Sequence, residues 1–128
     1  MGVHGFLLVF LGGGIGAAGR HGVSLLATKF LATNFPIGTF AINVAGAFAM
    51  GVVVELFAAK TAMSPSARLF LTTGILGGFT TFSTYALEIG LLYERGELMA
   101  AVIYGLGSLV VGVAALFAGL SLVRWLTA

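Results

Sequence analysis

Apolar residues fill this chain in long blocks, and most polar positions fall between them. Four blocks stand out, approximately Phe6 to Leu26, Ile37 to Phe57, Leu69 to Leu92 and Leu98 to Leu126. A helix needs about 20 apolar residues to cross the hydrocarbon of a bilayer, so each block predicts one membrane-spanning helix. Little chain remains between them, and residues 1–128 read as a single four-helix transmembrane domain of the all-α class. Composition agrees: 59% of the 128 residues are hydrophobic and 8% charged, with a mean hydropathy of +1.13, which is too apolar for a wet surface. No charged n-region precedes the first block and no convincing small-residue cleavage site follows it. It is therefore expected to be a retained span rather than a signal peptide.

With four spans both termini share one side. Lys60, Arg68 and Arg124 then lie with the termini, Lys29 and Arg95 lie opposite, and Arg20 sits deeper near the same end as Lys29. Orientation normally follows an excess of Lys and Arg in short loops. Here the two sides balance, so insertion both ways round is expected. Four short helices pack their own centre and supply too little wall for a pore, which predicts oligomerisation. The simplest closure is an antiparallel two-fold homodimer with inverted symmetry. Small-xxx-small pairs, Ala47 with Gly51, Ser108 with Gly112 and Ala115 with Gly119, are read as close helix packing.

The absence of cysteine excludes disulfides, thiol catalysis and zinc-thiolate sites. The few cations form no basic cluster, so no nucleic-acid partner is implied. His21 has no second ligand at metal spacing, which argues against a transition metal. Gly14-Ile15-Gly16-Ala17-Ala18-Gly19 satisfies G-x-G-x-x-G, but no strand precedes it and no acid occurs before Glu55. Gly12, Gly13, Gly16 and Gly19 are read as close helix packing.

Polarity inside a span is the exception that points to function. Gly74 to Glu88 carries two adjacent glycines, five hydroxyl residues and a carboxylate, each requiring an internal partner or a path for water or ions. Gly77-Gly78 followed by Thr80-Thr81 is a poor continuous helix and predicts a break exposing carbonyls, as in transporter helices that hold sodium. Beyond it Thr81, Thr84, Tyr85 and Glu88 share a face, with Phe82 one turn from Tyr85. On the second span Thr39, Asn43, Gly46 and Met50 share a face. Asn43 is either interhelical glue or pore lining. Arg20 either snorkels to the interface or forms an electropositive mouth. Tyr104, Ser108, Gly112, Ala115 and Gly119 make one face of the fourth span, and Glu94, Arg95 and Glu97 read as a solvated turn. Ring edges carry the positive part of the aromatic quadrupole. Beside an amide and hydroxyls they suit a small anion that must bind and also leave.

Three motifs coincide in order with one family. Gly12-Gly13 with Gly16-Ala17 and Arg20 resembles the first-span signature of CrcB/Fluc fluoride channels. Gly38-Thr39 with Asn43-Val44, Gly46, Phe48 and Gly51 resembles the second, and Gly77-Gly78-Phe79-Thr80-Thr81-Phe82-Ser83-Thr84 the third. The resemblance implies a dual-topology antiparallel homodimer in the cell (inner) membrane, with two pathways passively exporting fluoride and no enzyme chemistry. It implies a fluoride donor at Asn43, an aromatic box containing Phe82, and polar lining by Thr39, Ser83, Thr84 and Tyr104. Ser108 is placed with that lining, and Arg20 at the pore entrance. It also implies a central structural sodium ion held by the Gly77 and Thr80 carbonyls of both subunits. Tyr85 departs from the pattern, standing where the second ring is usually Phe, and Gly112 stands where a serine can occur. Glu88 resembles the acid at the end of the polar track. A small multidrug exporter of similar size needs a proton-coupled carboxylate in its first span, where this chain has Arg20. A structural subunit of a larger complex is favoured only if Asn43 and the third-span hydroxyls are glue.

Overall fold

The computed structural model describes residues 2–31, 33, 35–59 and 64–128 and is helical throughout its regular structure. Helix α1 runs Gly2–Phe30 and α2 Ile37–Ala58. The third span comprises α3 (Pro65–Leu69), a π-helical stretch (Phe70–Leu76), α4 (Gly77–Phe79) and α5 (Ser83–Glu94), and the last is α6 (Leu98–Thr127). Four helical spans are long and apolar enough to cross a membrane: Gly2–Phe30, Ile37–Ala58, Pro65–Glu94 and Leu98–Thr127. Each predicted block lies within one of them. The helices run up to about a turn past the first and third blocks because intrahelical hydrogen bonds continue into polar residues such as Lys29 and Glu94.

Local chemistry explains the ends. Ser64 caps α3 by accepting from the Ala67 N–H at 3.1 Å, and Pro65 follows at the first helical position, where its missing N–H costs nothing. The turn into α6 passes through Gly96 at φ 79°, a left-handed conformation that glycine adopts without strain. Among the described charges, Arg124 pairs with Glu55 at 2.7 Å, and the Arg68 guanidinium lies 4.5 Å from the centre of the Phe57 ring. The end of α2, the start of the third span and the end of α6 therefore meet at one end of the bundle. Lys60 lies outside the described residues.

Packing is built on missing side chains. Where α1 meets the first half of the third span, a Cβ on Gly12 would stand 2.8 Å from the Phe70 carbonyl oxygen and 2.9 Å from the Gly74 Cα. A Cβ on Gly16 would collide with the Ile75 carbonyl, and one on Gly78 with the backbone of Gly13. In lipid, where apolar side chains gain little from one another, this close backbone approach supplies the dispersion that holds helices together. The second such crossing joins α2 to α6: Gly51 lies against the Leu116 carbonyl and Gly119 against that of Phe48. Gly51 and Gly119 thus pack as their spacing suggested, whereas Gly112 faces open space.

These contacts predict opposite responses at two glycines of one helix. Gly16→Ala should destabilise the protein by about 1–3 kcal/mol or more through overpacking. Gly14→Ala, with nothing within 4 Å of the added methyl, should be neutral or stabilising by up to about 1 kcal/mol. Thermal unfolding in detergent measures both.

Candidate functional site

Between Phe79 and Ser83 the third span leaves helical geometry, and Thr80 is extended at φ −81°, ψ 158°. In a continuous helix the Thr81 N–H would donate to the Gly77 carbonyl. Here it donates to Asn43 Oδ1 at 2.9 Å, while Asn43 Nδ2 donates to the Thr81 carbonyl at 3.0 Å. One side-chain amide replaces both missing backbone partners. Gly46, one turn further along α2, makes room for the displaced chain, since a Cβ there would strike the Thr80 methyl.

Other groups complete the junction. Arg20 Nε donates to the Gly78 carbonyl at 3.2 Å, which directs the guanidinium of α1 to the end of α4, where helix carbonyls carry partial negative charge. The Thr80 hydroxyl donates back to the Leu76 carbonyl at 3.0 Å, and Thr81 Oγ1 accepts from the Thr84 N–H at 3.3 Å, capping the restart of the helix. Two carbonyls thereby lose their ordinary donors. The N–H that would serve Gly77 is held by Asn43, and the one that would serve Thr80 is held by Thr81.

Two cavities flank this region. A groove of about 450 Å³ opens between α2, the break and α6, lined by Asn43, Thr81, Phe82, Tyr85, Ser108 and Gly112 among others. No charged residue lines it. Ser108 Oγ is buried without a hydrogen-bond partner among the described residues, an uncommon state for a hydroxyl. Phe82 is 78% exposed, with its ring centre 5.9 Å from that of Tyr85 at an interplanar angle of 48°. A second, polar cavity of about 270 Å³ is lined by Ser24, Thr28, Thr39, Glu88 and Arg95 among others.

The two cavities share no lining residue. Between them lies Tyr104, only 1% exposed, whose hydroxyl donates to Glu88 Oε1 at 3.1 Å and neighbours the Thr39 side chain. Its ring packs 5.4 Å from Tyr85 and edge-on to Phe35 at 5.5 Å. The Tyr85 hydroxyl donates to the Gly105 carbonyl of α6.

The sequence-selected residues therefore divide. Asn43, Thr80, Phe82, Tyr85 and Ser108 meet at the groove, and Thr39 and Glu88 at the polar cavity, with Tyr104 between. Ser83, Thr84, Arg20 and Gly77 line neither cavity; Ser83 and Gly77 are exposed. Arg95, which reads in the sequence as part of a solvated turn, lines the polar cavity besides pairing with Glu97 at 3.2 Å. Ser24 and Thr28 line it too, and the signal that marks them is their i, i+4 spacing, which puts two hydroxyls on one face of α1.

Residues 7–120 match the family described as CrcB-like protein, Camphor Resistance (CrcB). The chain is 50% identical over 122 residues to a Nitrobacter hamburgensis protein named Fluoride-specific ion channel FluC 2, covering 95% of this chain and 98% of that one. It is 52% identical over 122 residues to a Rhodopseudomonas palustris protein named Fluoride-specific ion channel FluC, with the same coverage. A Granulibacter bethesdensis protein of that name is 52% identical over 121 residues, 94% of this chain and 95% of its own.

Asn43→Leu keeps the branched side-chain shape but leaves the Thr81 N–H and carbonyl without partners. It should lower unfolding stability by about 1–3 kcal/mol, read as a lowered melting temperature in detergent. Asn43→Asp, which retains the acceptor for Thr81, should recover part of the loss.

Proposed function

The chain belongs to the CrcB-like family, and we propose that it is a fluoride-selective channel whose path includes the groove beside Asn43. The observation that carries this reading is a set of uncharged donors in one apolar groove. Among the described residues, one N–H of the Asn43 amide is engaged by Thr81 and the other remains for a ligand, the Ser108 hydroxyl is unpartnered, and the Phe82 ring lines the same groove. A small, strongly hydrated anion needs close donors to replace its water. A buried Lys or Arg at the same place would hold it too tightly for passage. The names of the relatives, fluoride-specific ion channels, agree with this chemistry.

The path continues from the groove past Tyr85 and Tyr104 to Thr39, Glu88 and the polar cavity, with Ser83 and Thr84 beside it and Arg20 acting at its approach. No bond is made or broken, and flux follows the fluoride gradient. Hydrogen fluoride crosses lipid as a neutral acid, dissociates at neutral internal pH and leaves a trapped anion, so a passive channel in the cell membrane exports it.

A second copy of the chain completes the wall. The balanced cations at the two ends and the exposed groove support an antiparallel homodimer with two pathways. At its centre a structural sodium ion would be held by the Gly77 and Thr80 carbonyls of both subunits. The fit rests on the two diverted donors, since a carbonyl whose N–H partner is engaged elsewhere offers a hard oxygen to a cation. When bound, the ion supplies positive charge that satisfies those oxygens.

Purified protein in liposomes should release fluoride far faster than chloride, followed with ion-selective electrodes; equal leakage of both would sink the selectivity claim. The dimer should also melt at a higher temperature in sodium than in potassium at equal ionic strength. An indifferent melting temperature would remove the cation from the proposal.

A further inference from the structure

We infer that the Tyr85 hydroxyl is a tether that holds the Tyr85 ring across the neck between the two cavities, and that it is not a ligand of the permeant ion. The inference rests on the pathway proposed above and adds a positioning residue to it. Tyr85 lines the groove, its ring packs against Tyr104, and Tyr104 binds Glu88, which lines the polar cavity. This chain of three side chains connects two spaces that otherwise share no wall.

The orientation of the Tyr85 ring is fixed at both of its ends. Phe82 and Tyr104 flank it at 5.9 and 5.4 Å between ring centres, and the hydroxyl is bonded to the Gly105 carbonyl one helix away. A Cβ on Gly105 would stand 3.4 Å from Ile89 and 3.9 Å from the Tyr85 oxygen, ordinary contact distances, so the bond is made to the backbone carbonyl and does not depend on glycine there. A phenol carries one O–H proton. While Gly105 accepts it, none is left to donate to an anion in the groove. The ring lines the groove, and the hydroxyl restrains how far it can swing.

Removing the hydroxyl should therefore free the ring without removing a binding group. Phe is the residue that the family pattern sets at this position, so Tyr85→Phe is expected to fold, checked by an unchanged size-exclusion profile. In liposomes the variant should pass fluoride about threefold faster or more, with a half-saturating fluoride concentration within about twofold of the parent. Slower flux with a raised half-saturation would make the hydroxyl a fluoride ligand, and unchanged flux would show that it restrains nothing; either overturns the inference. Spectra of protein carrying 13C-carbonyl glycine and 15N-leucine report Gly90–Leu91, Gly105–Leu106 and Gly119–Leu120. The Gly105 carbonyl signal should move in Tyr85→Phe and stay fixed when fluoride is added to the parent. A signal unmoved by the substitution would mean that the bond does not form. A parent protein that passes no fluoride would instead overturn the channel reading, and the carbonyl signal would still report whether the tether exists.

Discussion

The pairing of the Asn43 amide with both backbone groups of Thr81 is the interaction on which the remaining features depend. Backbone at membrane depth cannot be left to lipid, because each unmatched N–H or carbonyl there costs several kcal/mol. Asn43 supplies one acceptor and one donor at the place where the third span departs from the helix. The departure in turn turns Phe82 outward, diverts donors from Gly77 and Thr80, and leaves Tyr85 facing α6. Glue and pore lining, which stood as alternatives for Asn43, are compatible: an amide carries two N–H groups, and the structural role occupies one of them.

The four spans were legible because a bilayer demands long apolar blocks and this chain has four. The glycine and threonine run within Gly74 to Glu88 likewise marked the place where the third span leaves helical geometry. The π-helical turn of Phe70–Leu76 was not legible, since the threonines and glycine of FLTTGIL weaken an α-helix without specifying the wider turn. Its wider turn arises where Gly74 must meet the backbone of α1, a tertiary cause that local propensity does not contain. The link from Arg20 to Gly78 spans 58 positions and was equally hidden. The sequence showed a cation at membrane depth but could not say which carbonyl it would serve. Tyr85 and Glu88 share a face with Thr84 by periodicity alone. Only the packing of α5 on α6 decides that the Tyr85 hydroxyl meets Gly105 and that Glu88 meets Tyr104.

The glycine crossings have a mechanical consequence. Backbone touches backbone between α1 and the first half of the third span, and again between α2 and α6, so each pair behaves as a stiff plate that cannot slide without a steric clash. The second half of the third span, α5, belongs to the second plate through Tyr85 and Glu88. Within the third span the extended turn at Thr80–Phe82 is thus the joint between the plates: Asn43 braces it from the second plate by holding Thr81, while Arg20 secures Gly78, just before it, inside the first. Along the third span, shear between the plates is concentrated in Thr80, Thr81 and Phe82, all three of which border the groove.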